Sequence, residues 1–234
     1  MNPERGGRIT SLRLGGEELL DQGIGIDDPT AALFVDGGAQ GWDEMVPNVE
    51  AGGFLPDHGE AWRSPWEELM RSGGSTTLRC VGRVVPWELT RHIVVVDRIQ
   101  VFYRYTNVGV LPHYAYWCAH PLFKFEEGME IGVPGGEALA SLEPGSSRKS
   151  FLPKGSLDRA RLGWRSGAAI EILWDALLTP YVGVWVCNGD LGGYRQIAIE
   201  PATGGNDRPD PAAPPPLLFP GETLEWWLDI RDGR

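Results

Sequence analysis

The chain has 234 residues, 42% of them apolar, which is enough to bury a sizeable core within one domain. A formal net charge of −11 and the lack of any Lys/Arg run argue against a general attraction for nucleic acid or anionic lipid. The longest apolar stretches, such as Tyr181–Cys187, fall far short of the roughly 18 residues that a membrane span requires.

The opening MNPERGGRIT is charged and glycine-rich, with no apolar signal-peptide core. The 32 glycines and 19 prolines exceed average usage without reaching the roughly 25–30% of low-complexity chains, so they read as tight turns. Between the Gly-Gly pairs at 15–16, 37–38, 52–53, 73–74, 135–136 and 192–193, the spacing predicts strands. In chain order these are Arg8–Leu14, Ala31–Val35, Thr76–Val84, His92–Val96, Arg98–Tyr105, His113–His120, Ala168–Trp174, Tyr181–Cys187, Gln196–Glu200 and Leu224–Ile230. Alternation is clearest where Ile99, Val101, Tyr103 and Tyr105 share one face, and where Leu224, Trp226, Leu228 and Ile230 do so. One segment reads otherwise: Ser64-Pro65-Trp66-Glu67 has the form of a capping box and predicts a short helix through Met70, stopped by Gly73-Gly74. The proline-rich run Arg208–Leu217 cannot form a ladder and reads as a loop or extended arm. No internal repeat is found, and many strands at turn-length spacing predict an all-β sandwich or barrel over residues 1–234.

Cys80, Cys118 and Cys187 each sit in an apolar run without a CxxC pair, which predicts buried free thiols rather than disulfides or a zinc site. With no span and no apolar leader, a cytoplasmic chain is expected. Of the four histidines, His92 reads as structural and His113 as structural or surface. His58 lies in the turn-rich LPDHGEAWRSPW, and His120 ends an aromatic strand just before a proline. Glu200 likewise ends an apolar strand before a proline; a carboxylate buried there has the raised proton affinity of a general base, whereas one facing solvent is only a strand end. The ten tryptophans are mostly core filling, but Trp62 and Trp66 near His58 and Trp117 near His120 favour a pocket that stacks sugar rings.

At these positions the sequence resembles the aldose 1-epimerase (galactose mutarotase-like) family. GGRITSLRLGGEELL resembles its first hairpin, GWDEMVPNVEAGG with DHGEAWRSPW its Pro-Asn and His-Gly region, and AHPLF its His-Pro strand end. IAIEPATG and LFPGETLEWWLDI resemble its catalytic-glutamate strand and closing strand, in the family's order from Gly6 to Ile230. The resemblance implies a twisted antiparallel β-sandwich, the galactose mutarotase-like supersandwich, and an extended chain where the capping box predicts a helix. It implies Glu200 as catalytic base, His120 as general acid and His58 as the second active-site histidine. Trp66, Arg63, Trp117 and Asp175 are the substrate-binding expectations, Asp175 standing for an aspartate that no motif fixes. After His-Gly, this chain has Glu60 and Trp62 where the family has Phe and Arg, with Arg63 one place on, and PNVEAGG lacks the family's arginine.

The expected activity is interconversion of the α and β anomers of a free aldose by acid/base ring opening, with no metal or other cofactor. A small-molecule sugar is the expected partner, with a homodimer through exposed sandwich edges as a further one. The rivals are a non-catalytic carbohydrate-binding or regulatory domain and a sugar-phosphate mutarotase, for which Arg63 is the evident phosphate partner in the motif. A lyase or epimerase acting on an oligosaccharide or uronate is disfavoured by the acidic charge.

Overall fold

Along Trp87–Val95 and Ile99–Asn107 every second residue is buried, so Trp87, Leu89, Arg91 and Ile93 face the same way as Val101, Tyr103 and Tyr105. In the computed structural model, which describes residues 1–234, these two strands are neighbours in an eight-stranded antiparallel sheet. Its spatial order is Glu130–Gly132, Arg159–Gly163, Ala169–Trp174, Thr223–Asp232, Ile99–Asn107, Trp87–Val95, Ser75–Val81 and Glu67–Ser72. A six-stranded sheet packs against it in the order Ser146–Leu152, Tyr181–Asn188, Arg195–Ala202, Cys118–Pro121 and Trp42–Met45, with Phe123–Lys124 added to Arg195–Ala202. The architecture is the all-β antiparallel sandwich expected, with one short α-helix at Gly136–Ala140. No helix is long and apolar enough to cross a membrane.

The sheets meet through large rings. Tyr103 and Trp226 of the larger sheet close on Trp117, with centroids 4.7 and 4.8 Å from it. A buried charge pair also crosses this core: Arg91 Nη1 donates to Glu44 Oε1 at 2.8 Å, and neither side chain has any exposure. Tyr103 Oη donates to the same carboxylate oxygen at 3.0 Å and Trp117 Nε1 to the other at 2.8 Å. All three cysteines are free and buried.

Several local expectations are overturned. Ser64–Met70 is not helical: a 3-10 turn occupies Ala61–Arg63, and Glu67–Ser72 is an edge strand paired with Ser75–Val81. The Gly73-Gly74 turn, with Gly74 at φ +94°, closes that hairpin, and Ser64 Oγ donates to Glu60 O instead of capping a helix. His113–His120 is not one strand. His113–Tyr114 pairs with Leu217–Leu218, while Cys118–Pro121 joins the six-stranded sheet. Between them the Thr203 hydroxyl accepts from Trp117 N at 2.8 Å and donates to Ala115 O at 2.8 Å, doing for the backbone there what a ladder would do. Ala31–Val35 is a turn, with Phe34 N donating to the Asp57 carboxylate at 2.7 Å. Of Arg8–Leu14 only Arg13–Leu14 forms a strand. Trp42–Met45, Ser146–Leu152 and Arg159–Gly163 are strands that the sequence pattern did not announce.

Candidate active site

Alternation along Arg195–Ala202 sends Ile197 and Ile199 into the inter-sheet core and Gln196 and Glu200 to the opposite face. Tyr181–Asn188 does the same, with Val182, Val184 and Val186 inward and Trp185 and Cys187 outward. The outward side chains floor a cavity of ≈ 330 Å³, within the roughly 300–1,000 Å³ of small-molecule sites. Phe34, Asp57, His58, His120, Lys149 and Asp207 are among the side chains that wall it.

Glu200 is 1% exposed and His120 is 5% exposed. His120 Nε2 lies 3.6 Å from Glu200 Oε1. Neither Glu200 Oε1 nor His120 Nδ1 has a hydrogen-bond partner within the protein, an arrangement that calls for an explanation in a buried polar group. Oε2 of Glu200 is held by Lys149 Nζ, whose ammonium also meets Asp207 Oδ1 at 3.0 Å. His58 sits on the cavity wall with φ +55°, a left-handed backbone uncommon outside glycine and often found where a site imposes it. Its Nδ1 is 2.9 Å from Asp57 Oδ2, its ring stacks on Phe34 at 4.6 Å, and it meets the His120 ring edge-on at 5.5 Å.

Burial shapes the charges. It raises the proton affinity of Glu200, an effect that the Lys149 ammonium offsets in part. It lowers that of His120 well below the usual histidine range, with the positive charge of Lys149 acting in the same direction. For Lys149 burial acts downward, but the carboxylates of Glu200 and Asp207 outweigh it and keep the ammonium charged. Asp57 is raised by burial and lowered more by the His58 hydrogen bond and charge, so it remains a carboxylate. As an acceptor it fixes His58 with Nδ1–H toward itself and leaves Nε2 for another partner. No group of three or more His, Cys, Asp or Glu side chains is arranged to hold a metal ion.

The structure thus brings together Glu200, His120 and His58. It does not bring the four expected substrate-binding residues to the cavity wall. Trp66 is buried in the core beneath Arg91, whose guanidinium lies 4.8 Å from its ring. Trp117 is in the core as well, donating to Glu44. Asp175 lies on a turn after Ala169–Trp174 in the other sheet, where its Oδ1 accepts from Leu177 N and Leu178 N. Arg63 stacks over the Trp62 ring at 4.4 Å and donates to Ala32 O, outside the cavity lining. Lys149, Asp207, Asp57 and Phe34 are site residues that the sequence reading missed.

The sequence matches no protein-family model and no curated protein. Solved structures do match. The Slr1438 protein from Synechocystis aligns at TM-score 0.76 and 17% identity over 98% of this chain and 89% of that one. A galactose mutarotase related enzyme from Lactobacillus acidophilus aligns at TM-score 0.69 and 15% identity, covering 100% and 93%. A galactose mutarotase-like protein from Clostridium acetobutylicum aligns at 0.69 and 13%, covering 98% and 91%. The chain has the galactose mutarotase-like fold. At these identities the likeness speaks for the galactose mutarotase-like architecture over nearly the whole chain, while the chemistry has to be argued from the cavity itself.

Proposed function

We propose that this protein is a mutarotase that interconverts the α and β anomers of a free aldose. The observation that carries the reading is the 3.6 Å separation of Glu200 Oε1 and His120 Nε2 at the wall of a ring-sized cavity. Ring opening removes a proton from the anomeric hydroxyl and delivers one to the ring oxygen, and both oxygens are bonded to the same carbon. A base and a donor this close can serve the two oxygens together. Glu200 Oε1 takes the hydroxyl proton as the carbonyl forms and the carbon–oxygen bond of the ring breaks, and His120 Nε2 supplies the proton to the released ring oxygen. After rotation about the carbonyl carbon the two steps run in reverse on the other face. Because burial disfavours the imidazolium of His120, it serves as a hydrogen-bond donor to the ring oxygen. The proton it passes on as that oxygen becomes basic is replaced by the one Glu200 Oε1 has accepted 3.6 Å away, so that neither an imidazolate nor a net charge is left behind.

A second assignment within the same reaction has its own support: the Asp57–His58 pair is the arrangement that holds a histidine in one tautomer for proton transfer. Two variants separate the assignments. With His120 as the donor, His120→Asn lowers kcat about 100-fold, while His58→Asn mainly raises KM. The reverse pattern in steady-state polarimetry assigns the donor role to His58.

A neutral sugar fits better than a phosphorylated one. Glu50, Asp57, Glu200 and Asp207 line the cavity, Lys149 is already shared by two carboxylates, and Arg63 lies outside the lining. The sugar phosphate is therefore expected to compete no more tightly than the parent aldose; a clearly lower inhibition constant for the phosphate would reverse the ranking. The test of the function itself is polarimetry of freshly dissolved α-glucose and α-galactose. Saturable sugar binding without faster anomer exchange would instead select a binding domain.

A further inference from the structure

We propose that Lys149, anchored by Asp207 on the bend just before the proline-rich run, is a positioning residue that clamps one oxygen of Glu200 and leaves the other as the proton-transferring oxygen. The inference rests on the mutarotase reading for its kinetic consequence, and on geometry for its substance.

Three observations converge. First, the two oxygens of Glu200 differ: Oε2 is bound by the Lys149 ammonium, while Oε1 has no partner within the protein and faces His120. A carboxylate free to rotate about its last bond would spend part of its time with neither oxygen aligned, and fixing it removes that freedom before substrate arrives. Second, the strand between the two residues is notched for the contact. Lys149 lies on Ser146–Leu152 and Glu200 on Arg195–Ala202, with Tyr181–Asn188 between them, and Gly183 is directly opposite Glu200. A Cβ at Gly183 would come 2.9 Å from Glu200 Oε2 and 3.0 Å from Lys149 Cε, so only glycine leaves the lane in which the lysine stem crosses the strand. Third, the lysine is itself tied. Asp207 Oδ1 holds Nζ at 3.0 Å, and the Asp207 carbonyl accepts from Val49 N and Glu50 N at 2.6 and 2.8 Å, pinning this bend to the segment that leads to His58. The bend that leads into the proline-rich run thereby contributes to the catalytic geometry.

The clamp also sets charge. Facing Glu200 are the ammonium of Lys149, the carboxylate of Asp207, the imidazoles of His58 and His120, and the protonated thiol and phenol of Cys118 and Tyr116. Of these, Lys149 is the one cation in direct contact with the carboxylate, so removing it makes Glu200 easier to protonate.

The test compares wild type with Lys149→Met and Lys149→Arg, reading kcat/KM by polarimetry across pH. In parallel, the Glu200 carboxyl carbon is followed in ¹³C-glutamate-labelled protein by NMR titration and assigned by its absence in Glu200→Gln. The expected result for Lys149→Met is an acid limb displaced to higher pH, costing about tenfold in kcat/KM at a fixed pH on that limb, with the Glu200 resonance displaced the same way. Lys149→Arg should keep the wild-type position. Gly183→Ala should displace limb and resonance in the Lys149→Met direction, which covers the case in which Lys149→Met does not fold. Loss of activity by the same factor at every pH, with the Glu200 resonance titrating as in wild type, overturns the proposal. If the wild type does not accelerate mutarotation, the mutarotase reading falls, and the NMR arm alone decides: displacement upholds the clamp and coincidence refutes it.

Discussion

Glu200→Gln is expected to abolish the acceleration of mutarotation while leaving the protein folded. Gln keeps the shape of the side chain but lacks the basic oxygen lone pair that takes the anomeric proton, and general base catalysis of this kind contributes about 10²–10⁴-fold. The variant should survive because Lys149, 18% exposed, retains Asp207 as a partner. Its thermal unfolding is therefore expected close to that of wild type, so the loss of rate cannot be ascribed to loss of structure. Glu200→Asp gives an independent reading. It keeps the charge but retracts the oxygen by one methylene from its 3.6 Å station beside His120, and a misplacement of about 1 Å can cost on the order of 100-fold. Aspartate should thus be far from a conservative replacement. If Glu200→Gln retains activity within tenfold of wild type, Glu200 is not the base and the mechanism must be reassigned.

What the sequence made legible follows from which contacts are local. Strand period and a following proline are local signals, and they located Glu200 and His120; the turn-rich stretch around His58 located the third side chain. The tryptophans misled for the same reason. Trp117 lies in the irregular segment between His113–Tyr114 and Cys118–Pro121, and its indole turns into the core to donate to Glu44, so adjacency in sequence meant separation in space. Trp66 is separated from the cavity by the 3-10 turn Ala61–Arg63, and its indole donates to Ala61 O within the core. Lys149 was invisible because SSRKSFL has no clear alternation, and its strand is defined by pairing with Tyr181–Asn188 some thirty residues on. Asp207 lies on a bend between Arg195–Ala202 and the proline-rich run, outside any strand, so nothing in its neighbourhood fixed where it would go. The capping box at Ser64 was a valid local preference that lost to the hairpin through Gly73-Gly74, whose register is closed by a strand on the far side.

The largest stability effect is expected away from the cavity, at Arg91. Its guanidinium and the Glu44 carboxylate are wholly buried between the sheets, and Arg91 also donates to Gly7 O and stacks on Trp66. Arg91→Met removes the cation and leaves Glu44 with only the Tyr103 and Trp117 donors. Breaking such a pair costs about 3–5 kcal/mol, because the remaining charge is uncompensated, and for a chain of this size that lowers Tm by roughly 6–20 °C. The sign of its pH dependence follows from Glu44. Burial already raises the proton affinity of this carboxyl against the pull of Arg91, and the variant raises it further. A carboxyl whose folded-state affinity exceeds its unfolded one is stabilised at acid pH and loses that advantage as pH rises. The gap between Arg91→Met and wild type should therefore widen from pH 5 to pH 8 in urea denaturation. Adding Glu44→Gln removes the stranded charge while keeping an acceptor for Tyr103 or Trp117, and should recover much of the loss and flatten the pH dependence. A double variant no more stable than Arg91→Met, with the same pH slope, would show that Arg91 acts through packing on Trp66 and its bond to Gly7 rather than through its charge.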